Sequence, residues 1–381
     1  MKVLLLGGTG AMGVHLSSLL NEDKTETYVT TRKERKDYGN VHYITGNAHS
    51  DEFLFPFLDK ENFDVIVDFM VYNTEEFKNR ASKLLDSCKQ YVFLSSSRVY
   101  ADSKNPITEE SPRLLDVSSD KDFLATDEYA LTKARQENVL FENEKQNWTI
   151  IRPYITYSEI RLQLGVLEKE LWLNRVLQNK TVVFSKDIFE HYTTLTYGED
   201  VSRGIKSLLG KEEAFGQAFH ITQTKALKWS EVWDVYNRVL TEEFGKSPKI
   251  KLVDLNTFHK FYSGVYQINY DRLYDRVFDN SKISKFLETK NFLSPEIGLE
   301  KSLREFIKNG ANFGFTFWRT EGIADRITGE SVLLLKIPGV KNKLNYIFGR
   351  LGLNIHKPSF IKRKINDKSI KGEKNGSTLH K

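Results

Sequence analysis

Short apolar runs alternate with amphipathic segments along the first part of the chain. Six runs have the length and apolar content of buried β-strands, at residues 2–6, 27–31, 41–45, 64–69, 90–95 and 148–152. Between them, the 3.6-residue apolar spacing of amphipathic helices occurs at 12–20, 75–88 and 127–141. This alternation predicts an α/β protein built on a doubly wound parallel sheet, with helices on both faces.

The alternation weakens after Pro153. Helical stretches at 161–178, 200–209, 229–244 and 295–309 mix with two short strands at 216–222 and 250–255. This pattern predicts a smaller α/β lobe that closes over the carboxyl ends of the strands, where open α/β sheets bind their ligands. We interpret Trp229 and Trp233, one helical turn apart, as core residues of that lobe.

The composition is that of a folded globular protein, with 381 residues of which 40% are hydrophobic and 28% charged. Cys88 is the only cysteine, so no intrachain disulfide can form and a reducing compartment is favoured. The apolar run at 3–6 is too short for a signal peptide, and no stretch approaches ~20 apolar residues. We therefore predict a cytoplasmic protein. The histidines have no metal-ligand spacing, so no metal site is predicted.

Positive charge is concentrated at the C-terminus. Residues 331–381 contain twelve basic and two acidic residues, whereas the whole chain has a net charge of +5, so residues 1–330 are mildly acidic. The main body is therefore not expected to bind nucleic acid.

Two interpretations of this basic region stay open. It is either a packed extension with a solvated basic end, or a basic amphipathic segment in peripheral contact with the inner face of a membrane. Apolar residues at 332–353 are interleaved with lysines, and a basic cluster at 362–364 follows. Pro338 and three glycines argue against one continuous helix.

A glycine-rich segment, GGTGAMG at 7–13, directly follows the first predicted strand and opens the first helix. Glycines at this spacing allow a tight turn, close approach of the backbone to a pyrophosphate, and close packing of helix on sheet. The helix N-terminus also favours an anion. This context predicts a nicotinamide-dinucleotide site that includes Gly7, Thr9, Gly10, Ala11, Met12 and Gly13.

The end of the second predicted strand bears on the choice of cofactor. NAD-binding folds usually present a carboxylate there, whereas this chain has Thr30, Thr31, Arg32 and Lys33. Arg32 would neutralise a 2′-phosphate, so NADP(H) is favoured over NAD(H). The alternative is that Arg32 and Lys33 are solvated loop charges.

Tyr129 and Lys133 lie four residues apart on one face of a predicted helix. A lysine ammonium so placed would lower the pKa of the tyrosine toward that of an acid/base catalyst. Tyr100 and Lys104 share the spacing but lie in a predicted loop that leads to Pro106. The helical context therefore selects Tyr129.

Ser95, Ser96 and Ser97 follow the apolar run of the fifth predicted strand. One of their hydroxyl groups would hydrogen-bond a substrate oxygen and share its proton with Tyr129. The alternative is that these serines merely end the strand.

Together these motifs resemble the extended short-chain dehydrogenase/reductase family, in particular its NAD-dependent epimerase/dehydratase branch, which acts on nucleotide-linked sugars. The resemblance runs from about residue 1 to about residue 309. It is carried by GGTGAMG at 7–13, SSSRVY at 95–100, YALTK at 129–133, IRPYITY at 151–157 and LTYGEDVSRGI at 195–205.

The resemblance assigns roles to three side chains. It implies that Ser96 is the catalytic hydroxyl, that Tyr129 is the acid/base, and that Lys133 binds the nicotinamide ribose and lowers the tyrosine pKa. It also suits a homodimer formed through two helices. We expect a dinucleotide-binding Rossmann domain at 1–160, a substrate lobe with some exchange of chain at 161–310, and the basic extension at 311–381.

Departures from the family pattern narrow the reaction. Ser97 and Arg98 replace the acidic pair of sugar-nucleotide dehydratases, which argues against elimination of water. Ile155 replaces a substrate-contacting asparagine, and Thr193 or Thr194 replaces an arginine that grips the substrate phosphates. Three functions stay open: an epimerase of a nucleotide-linked sugar, an NADPH-dependent ketosugar reductase near a membrane-linked glycan pathway, and a non-catalytic dinucleotide-binding sensor or scaffold.

Overall fold

The computed structural model describes residues 1–353. Its strands are β1 (Lys2–Leu6), β2 (Glu26–Thr31), β3 (Val41–Thr45), β4 (Phe63–Asp68), β5 (Cys88–Leu94), β6 (Trp148–Pro153), β7 (Ile155–Tyr157), β8 (Gln163–Leu164), β9 (Leu167–Glu168), β10 (Val182–Ser185), β11 (Tyr192–Thr193), β12 (Leu195–Tyr197), β13 (Gln217–Ile221), β14 (Leu227–Lys228) and β15 (Ile250–Val253). Its helices are α1 (Gly13–Glu22), α2 (Asp51–Lys60), α3 (Thr74–Asp86), α4 (Leu114–Val117), α5 (Lys121–Leu124), α6 (Tyr129–Phe141), α7 (Leu173–Leu177), α8 (Lys186–Phe189), α9 (Gly198–Leu208), α10 (Trp229–Phe244), α11 (Leu255–Phe261), α12 (Val265–Gln267), α13 (Pro295–Lys308), α14 (Trp318–Thr328) and α15 (Val340–Leu351).

Seven parallel strands form the central sheet, in the order β13-β6-β5-β4-β1-β2-β3. Successive side chains of β1 enter opposite apolar layers: Val3 and Leu5 pack in the layer of α1 and α9, Leu4 and Leu6 in that of α2 and α3. Burial on both faces explains why this strand is apolar throughout. The chain reverses its order between β1 and β4, which opens a crevice at the carboxyl ends of the strands. The predicted doubly wound Rossmann sheet is thereby confirmed.

Part of the chain after residue 160 returns to this sheet. The strand predicted at 216–222 was expected in the second lobe, but β13 pairs with β6, with His220 opposite Arg152. Phe219 and Ile221 are buried in the same apolar layer as α1 and α9, so the outer edge of the sheet is completed by a late segment.

Helix α2 was not predicted from the sequence. Pro56 lies inside it, and proline inside a helix removes a hydrogen bond. Burial of Leu54 and Leu58 in the apolar layer next to α3 stabilises the helix in spite of that loss.

The predicted helix at 161–178 is wrong over its first half. Residues 163–168 form the antiparallel β8–β9 hairpin, and only Leu173–Leu177 is helical. Gly165 causes the turn, because its φ of +59° is unfavourable for other residues. A Cβ atom there would also lie 2.6 Å from the ring of Phe184.

The second lobe has its own core. Trp172 stacks on Tyr236 of α10 with ring centroids 4.5 Å apart, and α10 packs against α13. Trp229 and Trp233 are both buried in this core, in agreement with the interpretation of these tryptophans as core residues.

The extension packs on the second lobe as a hairpin of α14 and α15 as far as it is described. The two helices approach closely at Gly322 and Gly349, where a Cβ atom would lie about 2 Å from backbone oxygen of the other helix. Buried ion pairs dock α14: Arg175 with Glu321 at 2.7 Å, and Lys180 with Asp325 at 2.7 Å. The chain breaks at Pro338, as predicted, before α15 begins.

The basic cluster noted in the sequence at 362–364 lies outside the described residues. Within residues 1–353, no helix is both long and apolar enough to cross a membrane.

Candidate active site

The glycine loop connects β1 to α1 at the carboxyl edge of the sheet. Gly7 has a φ of +67°, and its N–H donates to Thr30 Oγ1 at 2.9 Å. Gly13 packs directly on Gly8, since a Cβ atom at Gly13 would lie 2.5 Å from the Gly8 carbonyl oxygen. A Cβ atom at Gly10, in contrast, would meet nothing within 4 Å. The loop is therefore tightly packed at its two ends and open at Gly10, as a loop that approaches a pyrophosphate requires.

The LTYGEDV segment, which leads into α9, supports this loop from the helix packed beside α1. A Cβ atom at Gly198 would lie 2.5 Å from the Ala11 carbonyl oxygen, so only glycine allows this approach. Ser202 Oγ donates to the Met12 carbonyl oxygen at 2.8 Å. Thr9 N–H donates to the Gly7 carbonyl oxygen at 2.9 Å, which closes the turn.

The three serines after β5 have different partners. Ser95 Oγ donates to Glu137 Oε1 at 2.6 Å, and Ser97 Oγ donates to the Arg152 carbonyl oxygen at 2.6 Å. Ser96 Oγ accepts from the Arg98 N–H at 3.2 Å, and the Ser96 hydroxyl is close enough to the Tyr129 phenol to lower the pKa of that phenol. Ser95 and Ser97 are therefore used in packing, and Ser96 is the serine whose hydroxyl faces the tyrosine.

Helix α6 is held against the strand ends by one buried carboxylate. Besides Ser95 Oγ, the side chain of Glu137 accepts from Arg152 Nε at 2.8 Å and from an Arg113 Nη at 3.2 Å. Glu137 and Arg152 are both buried. This network fixes α6 on β5 and β6, and with it the position of Tyr129 and Lys133.

Tyr129 is the first residue of α6 and is 38% exposed. Desolvation by the surrounding protein raises the pKa of Tyr129. The guanidinium groups of Arg98 and Arg161 and the Ser96 hydroxyl act in the opposite direction and lower that pKa. Arg98 lies with its guanidinium carbon 5.3 Å from the centre of the tyrosine ring and is held by Glu128.

The Lys133 side chain is directed toward the end of β5. Its ammonium donates to the Leu94 carbonyl oxygen at 2.7 Å and lies 4.5 Å from the centre of the Phe93 ring. Burial lowers the pKa of Lys133 to about 8. The cations that lower the tyrosine pKa in this structure include Arg98 and Arg161, whereas the expectation that Lys133 also does so stays a prediction.

Arg32 follows β2 directly and is exposed, as is Lys33. Both follow β2, the strand next to β1, and the glycine loop is attached to the end of β1. Tyr100 and Lys104, which share the spacing of Tyr129 and Lys133, do not lie on a helix, as predicted. Tyr100 is buried and its hydroxyl accepts from an Arg152 Nη at 3.0 Å, whereas Lys104 is exposed on a loop.

Two residues near the site were not predicted as functional. In the sequence, Arg98 was noted only because it departs from the dehydratase pattern. Its contact with the Tyr129 ring depends on the fold. Asp68 ends β4, accepts from the hydroxyls of Tyr72 and Tyr91 at 2.9 and 2.7 Å, and interacts electrostatically with Lys133. Burial raises the pKa of Asp68. The sequence feature that could have identified Asp68 is a polar residue at the end of an apolar strand. Among residues 1–353, no cluster of three metal-ligating side chains occurs.

Comparisons with known proteins agree with this geometry. The profile of the NAD-dependent epimerase/dehydratase family matches residues 3–221, which is more than half of the chain. A curated relative, the chloroplast stem-loop binding protein of 41 kDa b from Arabidopsis thaliana, is 24% identical over 241 residues. That match covers 59% of this chain and 59% of the relative, so the similarity spans about three fifths of the relative's length.

Solved structures share the fold. The Bordetella bronchiseptica enzyme WbmH in complex with NAD+ superimposes with a TM-score of 0.63 at 14% identity, over 81% of this chain and 99% of WbmH. UDP-glucuronic acid 4-epimerase from Bacillus cereus, solved with UDP-glucuronic acid and NAD, gives a TM-score of 0.58 at 17% identity, over 81% of this chain and all of the epimerase. The match to the family profile, on a Rossmann sheet with this glycine loop, shows that the chain belongs to the NAD-dependent epimerase/dehydratase family.

Proposed function

We propose that this protein transfers a hydride at a carbinol or ketone carbon of a nucleotide-linked sugar, with Tyr129 as the acid/base. One observation carries the proposal. The Ser96 hydroxyl lies close enough to the Tyr129 phenol to lower the pKa of that phenol, at the carboxyl end of β5 and on the sheet edge that also carries the glycine loop. A substrate oxygen held between these two groups would exchange its proton with Tyr129.

Each step that the chain itself performs follows from this arrangement. When bound, a nicotinamide cofactor supplies or accepts the hydride. Ser96 hydrogen-bonds the substrate oxygen. Tyr129, whose raised pKa keeps the phenol protonated at neutral pH, donates the proton in the direction of reduction. The guanidinium groups of Arg98 and Arg161 stabilise the phenolate that this donation leaves, and in the direction of oxidation the phenolate accepts the proton of the substrate hydroxyl.

The residues present fit a dinucleotide. The open space at Gly10 admits a pyrophosphate, with Gly7, Thr9, Ala11, Met12 and Gly13 forming the rest of the loop. By the family resemblance, Lys133 would hold the nicotinamide ribose.

We further propose that the dinucleotide is preferentially NADP(H), because Arg32 is exposed at the end of β2 and no acidic residue takes its place. Dissociation constants for NADPH and NADH test this preference. Tighter binding of NADPH, lost in Arg32→Ala and kept in the exposed neighbour Lys36→Ala, supports it. Tighter binding of NADH contradicts it.

The reaction is either epimerisation or net reduction of a ketosugar. Purified protein would be analysed by mass spectrometry for retained cofactor, and then incubated with nucleotide sugars, UDP-glucuronic acid among them, and with 4-keto sugars. An epimerase converts the sugar with no net change in cofactor, whereas a reductase consumes one NADPH for each product formed. Cofactor binding without turnover of any substrate would favour the sensor or scaffold function instead.

The name of the Arabidopsis relative suggests nucleic-acid binding as a second candidate function. The charge of residues 1–330 opposes it, since their net charge is negative and phosphate backbones attract basic surfaces. Titration of the full chain with a stem-loop RNA at increasing salt separates the two functions. We also propose a cytoplasmic location and a homodimer. Light scattering on the purified protein tests whether it forms the homodimer.

A further inference from the structure

The end of the described chain exposes an unusual amount of apolar surface. Leu335 is 92% exposed, Val340 74% and Leu333 68%, and Leu334 and Leu344 are exposed as well. Contiguous exposed apolar surface on a folded protein commonly marks an interaction site. We call these five residues, together with Lys336, Lys341 and Lys343, the basic apolar patch.

The patch is held in place by packing around it. Ile337 is only 1% exposed although its neighbours in sequence are exposed, so it anchors the loop between α14 and α15. The Val332 N–H donates to the Tyr346 hydroxyl at 2.9 Å, and that hydroxyl donates to Asp325 Oδ2 at 2.7 Å. The leucines are therefore presented outward by a fixed hairpin rather than by a fraying chain end.

The charged residues of the segment 331–353 are all basic. Residues 331–353 contain Lys336, Lys341, Lys343 and Arg350 and no acidic residue. Lysine is depleted in protein–protein interfaces, whereas exposed leucines beside lysines are typical of surfaces that bind anionic bilayers. The apolar side chains enter the acyl boundary, and the ammonium groups contact the phosphates of the head groups.

We propose that the basic apolar patch docks this protein on an anionic lipid bilayer as a peripheral membrane protein. The contact is independent of the proposed reaction, because none of its residues belongs to the candidate active site.

Co-sedimentation of the full chain with lipid vesicles tests the proposal. Wild-type protein should bind vesicles of phosphatidylglycerol and phosphatidylcholine, release at high salt, and bind pure phosphatidylcholine much more weakly. Leu335→Glu should weaken binding by about tenfold or more, since it places a charge where an apolar group is buried. The double variant Lys336→Gln/Lys341→Gln should weaken it by about fivefold for each lysine removed.

Two controls match these variants in exposure. Val117→Glu replaces a residue that is 55% exposed on α4, and Lys308→Gln replaces a lysine whose side chain is 76% exposed on α13. Both should bind vesicles like the wild type. Because all test substitutions lie within 331–353, a loss of binding is assigned to the patch rather than to residues 362–364.

Three results would overturn the proposal: equal binding to neutral and anionic vesicles, wild-type binding by Leu335→Glu, or no vesicle binding together with a dimer that Leu335→Glu converts to monomer. The last result would identify the patch as an interface between two copies of the chain. Turnover measured without vesicles should be the same in Leu335→Glu and wild type.

Discussion

Replacing Glu137 should weaken the fold and disturb the site together, because this carboxylate ties α6 to the strand ends. Its two oxygens accept hydrogen bonds from Ser95, Arg113 and Arg152. The glutamate side chain is fully buried and Arg152 nearly so. Burial lowers the pKa of Arg152, but the Glu137 carboxylate more than offsets this effect and raises the pKa overall. The guanidinium stays charged even without this partner, because arginine is not deprotonated in proteins.

The size of the effect depends on what is left behind. Glu137→Ala removes every acceptor and leaves a buried guanidinium uncompensated, a change that costs about 3–5 kcal/mol. Glu137→Gln keeps the shape and one acceptor oxygen but loses the charge, so we expect about 1.5–3 kcal/mol from the weakened charged hydrogen bonds. Against a total stability of about 5–15 kcal/mol, either loss is large.

Urea unfolding followed by fluorescence measures the loss. The matched control is Glu142→Gln, which replaces an exposed glutamate just after α6 and should change stability by less than about 0.5 kcal/mol. If Glu137→Gln unfolds at the same urea concentration as the wild type, the network does not hold α6, and the structural reasoning about the site is wrong.

Three further predictions concern the cations and the glycines. Arg98→Gln should move the limb of the pH–rate profile that reports on Tyr129 to higher pH, because Arg98 lowers the tyrosine pKa, and Arg98→Lys should restore part of the shift; an unmoved limb contradicts the assignment. Gly10→Ala should leave unfolding unchanged and weaken cofactor binding by about tenfold, about 1.4 kcal/mol, whereas Gly13→Ala should destabilise the fold itself, since its Cβ would lie 2.5 Å from backbone atoms. Lys133 has a pKa of about 8 in the folded protein, against an ordinary value of 10.5, so the unfolded chain binds more protons between these two pH values. The contribution of Lys133 to stability therefore rises with pH across that window. In the cofactor-free protein, the difference in urea midpoint between the wild type and Lys133→Met should follow this rise, and a difference that does not change with pH would contradict it.

The sheet could be predicted from the sequence because its inner strands, such as β1 and β4, are buried on both faces. Such strands appear as short continuous apolar runs, and the six predicted runs correspond to β1–β6. The glycine loop was equally visible, since its spacing and its place between strand and helix are local. Helix α2 was not predicted because a proline inside a segment argues against a helix. Tertiary packing of its apolar residues stabilises this helix in spite of Pro56.

Other features depend on contacts between distant segments. The residues at 216–222 do not themselves indicate that this strand pairs with β6 rather than with a strand of the second lobe. The choice of Ser96 among three serines followed from the resemblance, while the structure adds a physical reason in the separate partners of Ser95 and Ser97. The direction of the Lys133 side chain and the contact of Arg98 with the tyrosine ring could not be read from spacing, because both are set by packing of α6 on β5.

The proton-transfer role of Tyr129 is the central claim, and single-turnover kinetics of Tyr129→Phe tests it most directly. The control is Tyr192→Phe, which alters a tyrosine of similar exposure on β11. We expect Tyr129→Phe to bind the dinucleotide like the wild type while hydride transfer slows by about 10²–10⁴-fold, and Tyr192→Phe to react normally. Hydride transfer at the wild-type rate in Tyr129→Phe would show that Tyr129 is not the acid/base.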